Sequence, residues 1–595
     1  MPRPSHYDNY GKAKNVKGSL LKLAKYLNED SIYVLIAILL SVVGTVCMII
    51  GPMLLGNITD YTQKFVNDNT YDPRSDILNM GIILIFIYLG SALCNYFCGF
   101  FMTGVTQKVT NKMRSDISEK INKLPLSYFD SRSFGDVLSR VTNDIDLIGQ
   151  NLNQVLTQFV SSIIMFIGVF IIMLTLSPSM TLIAVISIPV SLIIMIVLVK
   201  VSQKYFRAQQ KALGALNGHI EEAYAGQNVI KAFNQEEAQF EVFNKMNLEL
   251  KYTGWKSQFL SGLLMPLMSF VGNLSFMSIC VLGSFLAMNG TYSIAIIQEF
   301  TQYTRQLNQP MQQIGQMGTI IQQCAAASER VFEFLQEEEM PPENVTETLE
   351  TKDCVGNVMF KDVNFGYTKD RQIIFNFNCN VKSGQKIAIV GPTGAGKTTL
   401  VNLLMRFYET DSGNIFIDNI NTKDLSRANV RRLFGMVLQD TWLFEGTIRD
   451  NLKFGNENAT DDEIYEALKA CHMDHFVNSL PGGLDYVFTE AANVSAGQKQ
   501  LLTICRTMIE NAPMLILDEA TSSVDTRTEI LIQQAMDKLM ENRTSFVIAH
   551  RLSTIKNADI ILVLRDGNVV EQGSHEELLA KNGFYAALYN SQFEL

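Results

Sequence analysis

The nine residues Gly391-Pro392-Thr393-Gly394-Ala395-Gly396-Lys397-Thr398-Thr399 have the spacing of a Walker A phosphate-binding loop. Its glycines let backbone N–H groups wrap phosphate oxygens, and a helix starting just after it favours anions. Lys397 suits the β- and γ-phosphates of a nucleotide, and the Thr398 hydroxyl suits Mg²⁺. A buried-strand pattern, Ile387-Ala388-Ile389-Val390, leads into the loop, and Leu400-Val401-Asn402-Leu403-Leu404 opens a helix out of it. A second apolar strand, Met514-Leu515-Ile516-Leu517, ends in Asp518-Glu519. Asp518 suits the support of Mg²⁺, and Glu519 suits a general base that orients water beside the γ-phosphate. A third strand, Ser545-Phe546-Val547-Ile548-Ala549, ends at His550, within reach of the same phosphate. The set predicts a site that hydrolyses ATP with Mg²⁺.

The chain of 595 residues has two unlike parts. Up to about residue 325 it is dominated by runs of Ile, Leu, Val, Met and Phe; the remainder reads as a soluble α/β sequence. The formal charge, 49 − 59 = −10, and the lack of a basic tail exclude a nucleic-acid partner. Nine singly scattered cysteines show no zinc spacing and are read as reduced. A bilayer-crossing helix needs roughly 20 mostly apolar residues. Six stretches meet that length: about 32–57, 78–105, 154–177, 179–200, 258–288 and 292–320. The last is the least apolar, because it carries many glutamines. Only Ser177-Pro178-Ser179 separates the third from the fourth, which requires a tight turn. Before the first, Leu20 to Leu27 mixes apolar and basic residues at helical spacing, as in a helix lying on a membrane surface.

Lys and Arg concentrate in 106–150 and 200–257, whereas 58–77 holds only Lys64 and Arg74. Positive charge stays inside, so both long segments and both termini are expected in the cytoplasm. Each long segment is helical in period, with a polar break at Ser131 to Asp136 and at Tyr224 to Asn228. Such breaks would make short transverse helices that dock on a soluble domain. The acidic, proline-paired stretch Glu337 to Asn344 reads as a linker. The expected organisation is 1–31 cytoplasmic with a surface helix, 32–335 six-span membrane domain, 336–352 linker and 353–595 nucleotide-binding domain.

With these motifs in this order, the chain resembles an ATP-binding cassette (ABC) exporter half-transporter over nearly its whole length. The resemblance implies an all-α six-helix membrane domain with long cytoplasmic extensions, followed by an α/β P-loop domain. It gives Tyr367 the role of stacking on adenine, for which a flat π face suffices. It makes Gln439 a contact to Mg²⁺ and to the cytoplasmic arms, Ser522 to Asp525 the D-loop, and His550 the switch histidine. The family's signature, Leu-Ser-Gly-Gly-Gln, acts on ATP held by the opposite subunit. Here it reads Val494-Ser495-Ala496-Gly497-Gln498. Ser495, Gly497 and Gln498 are kept; Ala496 adds a methyl where backbone approaches phosphate.

That deviation leads to a heterodimer expectation: this chain's own site is complete, while the site built on its partner's Walker A is weak. The implied partners are a second half-transporter, the lipid bilayer and hydrophobic or amphipathic compounds exported in the multidrug manner from a bacterial plasma membrane. A homodimeric lipid or lipid-linked glycan flippase is the alternative within transporters, and a regulatory or channel-type ATPase the alternative outside them. No peptidase-like stretch precedes the first span, which disfavours a leader-cleaving exporter. Glu299 lies in the sixth span among Gln298, Gln302, Gln306 and Gln309. An acid there either pairs with cationic amphipathic substrates or faces water near the outer end.

Overall fold

The computed structural model describes residues 15–67, 72–290, 292–368, 371–439, 441–489, 494–518, 525–549 and 552–593. Glu519, the stretch 522–524 and His550 therefore lie outside the described residues. The chain divides into two units: 1–123 with 133–338, and 124–132 with 339–595.

The first unit is helical. Helix α1 (Val16–Leu27) buries Leu23 and Ser19 on one face. A short 3₁₀ turn leads to α2 (Ser31–Asn67), and α3 follows (Arg74–Lys123). The next stretch holds two short helices, α4 (Leu126–Asp130) and α5 (Phe134–Ser139), then a π-helical turn at Arg140–Asp144. The long helices α6 (Ile145–Leu176) and α7 (Pro178–Ala225) come next. After α8 (Gln227–Ala232) come α9 (Glu236–Gly262), α10 (Leu264–Met288) and α11 (Ile294–Gln336). Each polar break expected in the arms adjoins a short helix: Ser131 to Asp136 runs from the end of α4 into α5, and Tyr224 to Asn228 from the end of α7 into α8.

A single residue, Ser177, joins α6 to α7. It adopts an extended conformation, accepts the Met180 N–H at its hydroxyl (3.4 Å) and has Pro178 as the first helical residue after it. Proline is at home there, since the N–H it lacks would have no helical partner. Among the described residues, five helical stretches are long and apolar enough to cross a membrane: Val16–Val66, Arg74–Lys123, Phe134–Leu176, Pro178–Ala225 and Glu236–Met288. The sixth expected span falls on α11, which has ample length at 43 residues but not the apolarity. Two of its polar side chains meet other helices: Ser162 donates to Gln313 Oε1 (2.6 Å), and Thr59 donates to Gln298. A packed helix needs no lipid-like surface on every side. Ile49, Val169, Met173, Met180, Phe300 and Tyr303 fill the middle of the bundle. Met102 and Met173 are core residues, at 1% and 0% exposure. All nine cysteines are free thiols.

The second unit opens on strands β1 (Val358–Phe365), β2 (Ile374–Val381) and β3 (Lys386–Val390), then α12 (Lys397–Leu404). It continues through β4 (Ser412–Ile417), β5 (Ile420–Asn421), α13 (Arg427–Arg432), β6 (Phe434–Val437) and β7 (Gly446–Thr447). A helical section follows: α14 (Ile448–Leu452), α15 (Asp461–Ala470) and α16 (Asp474–Ser479), then β8 (Val487–Phe488) and α17 (Ala496–Glu510). The chain returns to the sheet with β9 (Met514–Asp518), α18 (Thr526–Leu539), β10 (Thr544–Ile548) and α19 (Leu552–Lys556). It ends with β11 (Ile560–Arg565), β12 (Asn568–Gly573), α20 (His575–Ala580) and α21 (Phe584–Phe593).

The main sheet has the order β12-β11-β3-β10-β9-β6, with β12 antiparallel at one edge and the other pairings parallel. Parallel strands covered on both faces read as unbroken apolar runs, which is why β3, β9 and β10 stand out in the sequence. Ile389, Ile516 and Phe546 face a core shared with the antiparallel sheet β2-β1-β4-β5. Leu515, Leu517 and Val547 face the opposite way, onto α15 and α17 residues such as Ile464, Leu468, Leu501 and Ile504. Helix starts are capped by their own side chains: Thr460 with Glu463, and Ser495 with Gln498, close reciprocal capping boxes.

Candidate functional site

Because β6, β9, β10, β3 and β11 run parallel, their carboxyl ends share one edge of the sheet, where open α/β sheets bind ligands. Ile389 pairs with Ile548, and Ile548 with Asp518, so those strand ends lie in one row. The Walker A loop leaves β3 there, Asp518 ends β9, and Gln439 stands exposed two residues beyond β6. Glu519 directly follows β9, and His550 follows β10 by two residues; their side chains are outside the described residues.

The loop's shape depends on glycine at particular points. Gly394 and Gly396 have φ of 85° and 99°, the left-handed region that side chains disfavour. A Cβ at Gly396 would also lie 3.1 Å from Ile374 Cδ1. Gly396 caps α12, so the free N–H groups of that helix open onto the loop. Lys397 folds back over the mouth, donating to the carbonyls of Gly391 (2.8 Å) and Pro392 (3.1 Å). Burial pushes its ammonium below the ordinary lysine value, and the Asp518 carboxylate opposes that push. A cation held in this way is complementary to polyphosphate. The loop, the helix start and the carboxylate at the end of β9 therefore fit Mg²⁺-nucleotide, with Lys397 for phosphate and Thr398 and Asp518 on the metal side.

Tyr367 lies just after β1 and is 41% exposed. Its hydroxyl donates to Thr399 Oγ1 (3.3 Å) and accepts from Asn402 (3.2 Å), which ties the ring to α12. The edge of its ring meets Tyr408, with centroids 4.9 Å apart. Tyr408 in turn donates to the Asp130 carboxylate on α4, the short helix that belongs to this unit. Sequence reading did not single out Tyr408, since nothing in its neighbourhood marks it. Tyr585 and Tyr589 were missed in the same way. They border a recess of about 130 Å³ beside Gly391, Pro392, Thr393 and Lys397. His575 Nδ1 shares a hydrogen bond with the Tyr585 hydroxyl (2.7 Å).

The signature residues are elsewhere. Ser495 caps α17, with its hydroxyl accepting the Gln498 N–H (3.2 Å) and its N–H donating to Gln498 Oε1 (3.0 Å). Ala496 is the first helical residue and is exposed, Gly497 is buried and Gln498 half-buried. None of the three expected signature residues lines the recess beside Lys397. The alanine leaves the local fold intact and places its methyl on the exposed end of the helix.

In the helical unit, Glu299 is only 6% exposed, which overturns the water-facing reading. Its carboxylate packs against Gly56 of α2, where a Cβ would collide with Oε1. Its Oε2 has no hydrogen-bond partner among the described residues. A second buried group escaped sequence reading. Arg330 on α11 grips Asp144 through Nε (2.8 Å) and Nη2, and Asp144 is 1% exposed. Arg140 donates to the Arg330 carbonyl (3.0 Å) and to Asp136 (3.1 Å).

Fold and site together define a P-loop ATPase unit joined in one chain to a helical membrane unit. Residues 34–311 match the family model of the ABC transporter transmembrane region, and 374–522 the family model described as ABC transporter. A fatty acid ABC transporter ATP-binding/permease protein of Mycobacterium tuberculosis is 40% identical over 610 residues, covering 96% of each chain. YfiC of Bacillus subtilis, an uncharacterized ABC transporter ATP-binding protein, is 40% identical over 584 residues, 98% of this chain and 96% of that one. An ATP-dependent lipid A-core flippase of Syntrophus aciditrophicus is 32% identical over 556 residues, 93% and 92% of the two chains. The chain belongs to the ABC transporter family, as an exporter half-transporter. It is a multi-pass membrane protein whose ATP hydrolysis is coupled to transport, and half-transporters of this kind dimerise.

Proposed function

We propose that this half-transporter exports hydrophobic or amphipathic compounds across the plasma membrane as one subunit of a heterodimer. In this reading Lys397 holds the β- and γ-phosphates of ATP, and Thr398, Gln439 and Asp518 serve Mg²⁺. Glu519 acts as general base, His550 contacts the γ-phosphate, and Tyr367 stacks on adenine. Ser495, Gly497 and Gln498 serve the nucleotide of the opposite subunit. The observation that carries the heterodimer is Ala496, whose methyl occupies the exposed first position of α17. It weakens the partner's site and leaves this chain's own site complete. Purifying the chain expressed alone tests the idea. The expected outcome is weak ATPase restored by a second half-transporter; a stable homodimer with strong drug-stimulated ATPase overturns it.

Glu299 is proposed to attract cationic amphipathic passengers, on the strength of its burial without a cation beside it among the described residues. If Glu299→Gln leaves transport of every cationic compound unchanged, that role is lost. A second reading, a homodimeric lipid or lipid-linked glycan flippase, is favoured by the relatives named for fatty acid transport and lipid A-core flipping. ATP-dependent uptake into inverted vesicles, comparing cationic drugs with labelled lipids, separates the two.

A further inference from the structure

Four helices of the membrane unit, α2, α3, α6 and α11, enclose a cavity of about 380 Å³. Its lining includes five amides, Asn95, Asn153, Gln158, Gln306 and Gln313, together with hydroxyls such as Ser41 and Thr157. Among the described residues no charged side chain lines it. Much of this polarity is satisfied locally: Ser41 with Ser161 (2.6 Å), Gln313 from Ser162 (2.6 Å), Gln158 from Gln154 (3.2 Å). Gln306 differs. Its Oε1 is buried and has no hydrogen-bond partner among the described residues. A buried carbonyl oxygen of that kind accepts a donor at a substantial gain.

A second hollow, of about 770 Å³, adjoins the first and shares Asn95 and Gly99 with it. It is lined by Tyr33, Tyr96, Phe100 and Phe101. Gly99 puts no side chain between the two spaces, and a Cβ there would have no neighbour within 4 Å. The charges on the hollow's lining, Asp30 and Lys108, pair with each other at 2.8 Å. Neither space therefore offers an uncompensated charge to a ligand.

We infer that the two spaces form one binding site for a single-chain amphiphile with an uncharged, hydrogen-bond-donating head. Gln306 receives a hydroxyl or amide N–H from the head, and the chain lies past Gly99 along the aromatic side chains. The site rests on the exporter reading and adds an uncharged class of ligand to it: at this site an ammonium or carboxylate head would enter the amide cavity without a counter-charge. It is separate from Glu299, which faces Gly56.

Photolabelling of the full-length protein in nanodiscs tests this, without ATP. The probes are three oleoyl chains with the same diazirine, carrying a glycerol head, a dimethoxy-capped glycerol head or a trimethylammonium head. Peptides are mapped by mass spectrometry. The glycerol probe is expected to label the segments around 95–101 and 306–313 at least five-fold more than the other two. Gln306→Met is expected to remove most of that excess, and Gln306→Glu to shift labelling towards the trimethylammonium probe; unfolding temperatures report the integrity of each variant. Equal labelling by all three heads, or glycerol labelling untouched in both variants, overturns the inference. Because no ATP is present, either result leaves the exporter reading standing; that reading fails separately, if no amphiphile is moved in an ATP-driven vesicle assay.

Discussion

The two units recognise their ligands by opposite means. In the P-loop unit the phosphate cradle is backbone: N–H groups of α12, glycines at positive φ, and strand ends brought into one row by parallel pairing. In the membrane unit the candidate contacts are side chains contributed singly by four helices. A backbone cradle tolerates few sequences, so it leaves a motif. A side-chain cavity can be built in many ways, so it leaves none.

The contrast can be tested from its strongest end. Glu519→Gln is expected to lower ATP turnover at least 100-fold while nucleotide stays trapped, the size of effect associated with a lost general base. Phosphate release and retained radiolabelled nucleotide measure this; turnover equal to the parent protein removes the role from Glu519. In the membrane unit the largest single effect should come from Asp144→Asn. It leaves the Arg330 guanidinium, 21% exposed, without its buried carboxylate, at a cost of about 3 kcal/mol. Thermal unfolding in detergent should show it, whereas removing an exposed pair such as Lys123 with Glu119 should change little.

Gly56→Ala should cost about 1–3 kcal/mol, because its methyl meets the Glu299 carboxylate. Gly90→Ala on α3, where a Cβ meets nothing within 4 Å, is the matched control and should be neutral or slightly stabilising. The smallest effect is pH-dependent and belongs to the P-loop unit. Burial raises the Glu510 carboxyl to about 7, with Arg506 opposing. The folded form therefore holds its proton more tightly than the unfolded chain. Stability from that proton is complete below the ordinary glutamate value and is lost as pH rises through about 7. Glu510→Gln keeps the neutral form and should gain about 1–2 kcal/mol at pH 8.5 but nothing at pH 4; pH-resolved unfolding decides it.

Legibility in the sequence followed the same division. The Walker A loop and the β9 and β10 runs were readable because each is local and constrained by backbone geometry. The tight turn at Ser177-Pro178-Ser179 was readable because so little chain separates two long apolar runs; that Ser177 alone is the link comes from the folded chain. Arg330 and Asp144 are 186 positions apart, and Tyr408 and Asp130 are 278 apart. No spacing rule connects such pairs; only the folded chain brings them together. Hydropathy under-read α11 because it scores residues for lipid, and this helix turns Gln298, Gln313 and Glu299 towards other helices.

The link at Ser177 limits how the transporter can move. Consecutive Cα atoms stand about 3.8 Å apart, so one connecting residue is a very short leash. The ends of α6 and α7 that meet there can pivot, but they cannot part. Any opening of the membrane unit at that end must come from other helix pairs, with α6 and α7 travelling as a hinged couple. Lengthening the leash by inserting glycines after Ser177 would release that constraint and show how much of the transport cycle depends on it.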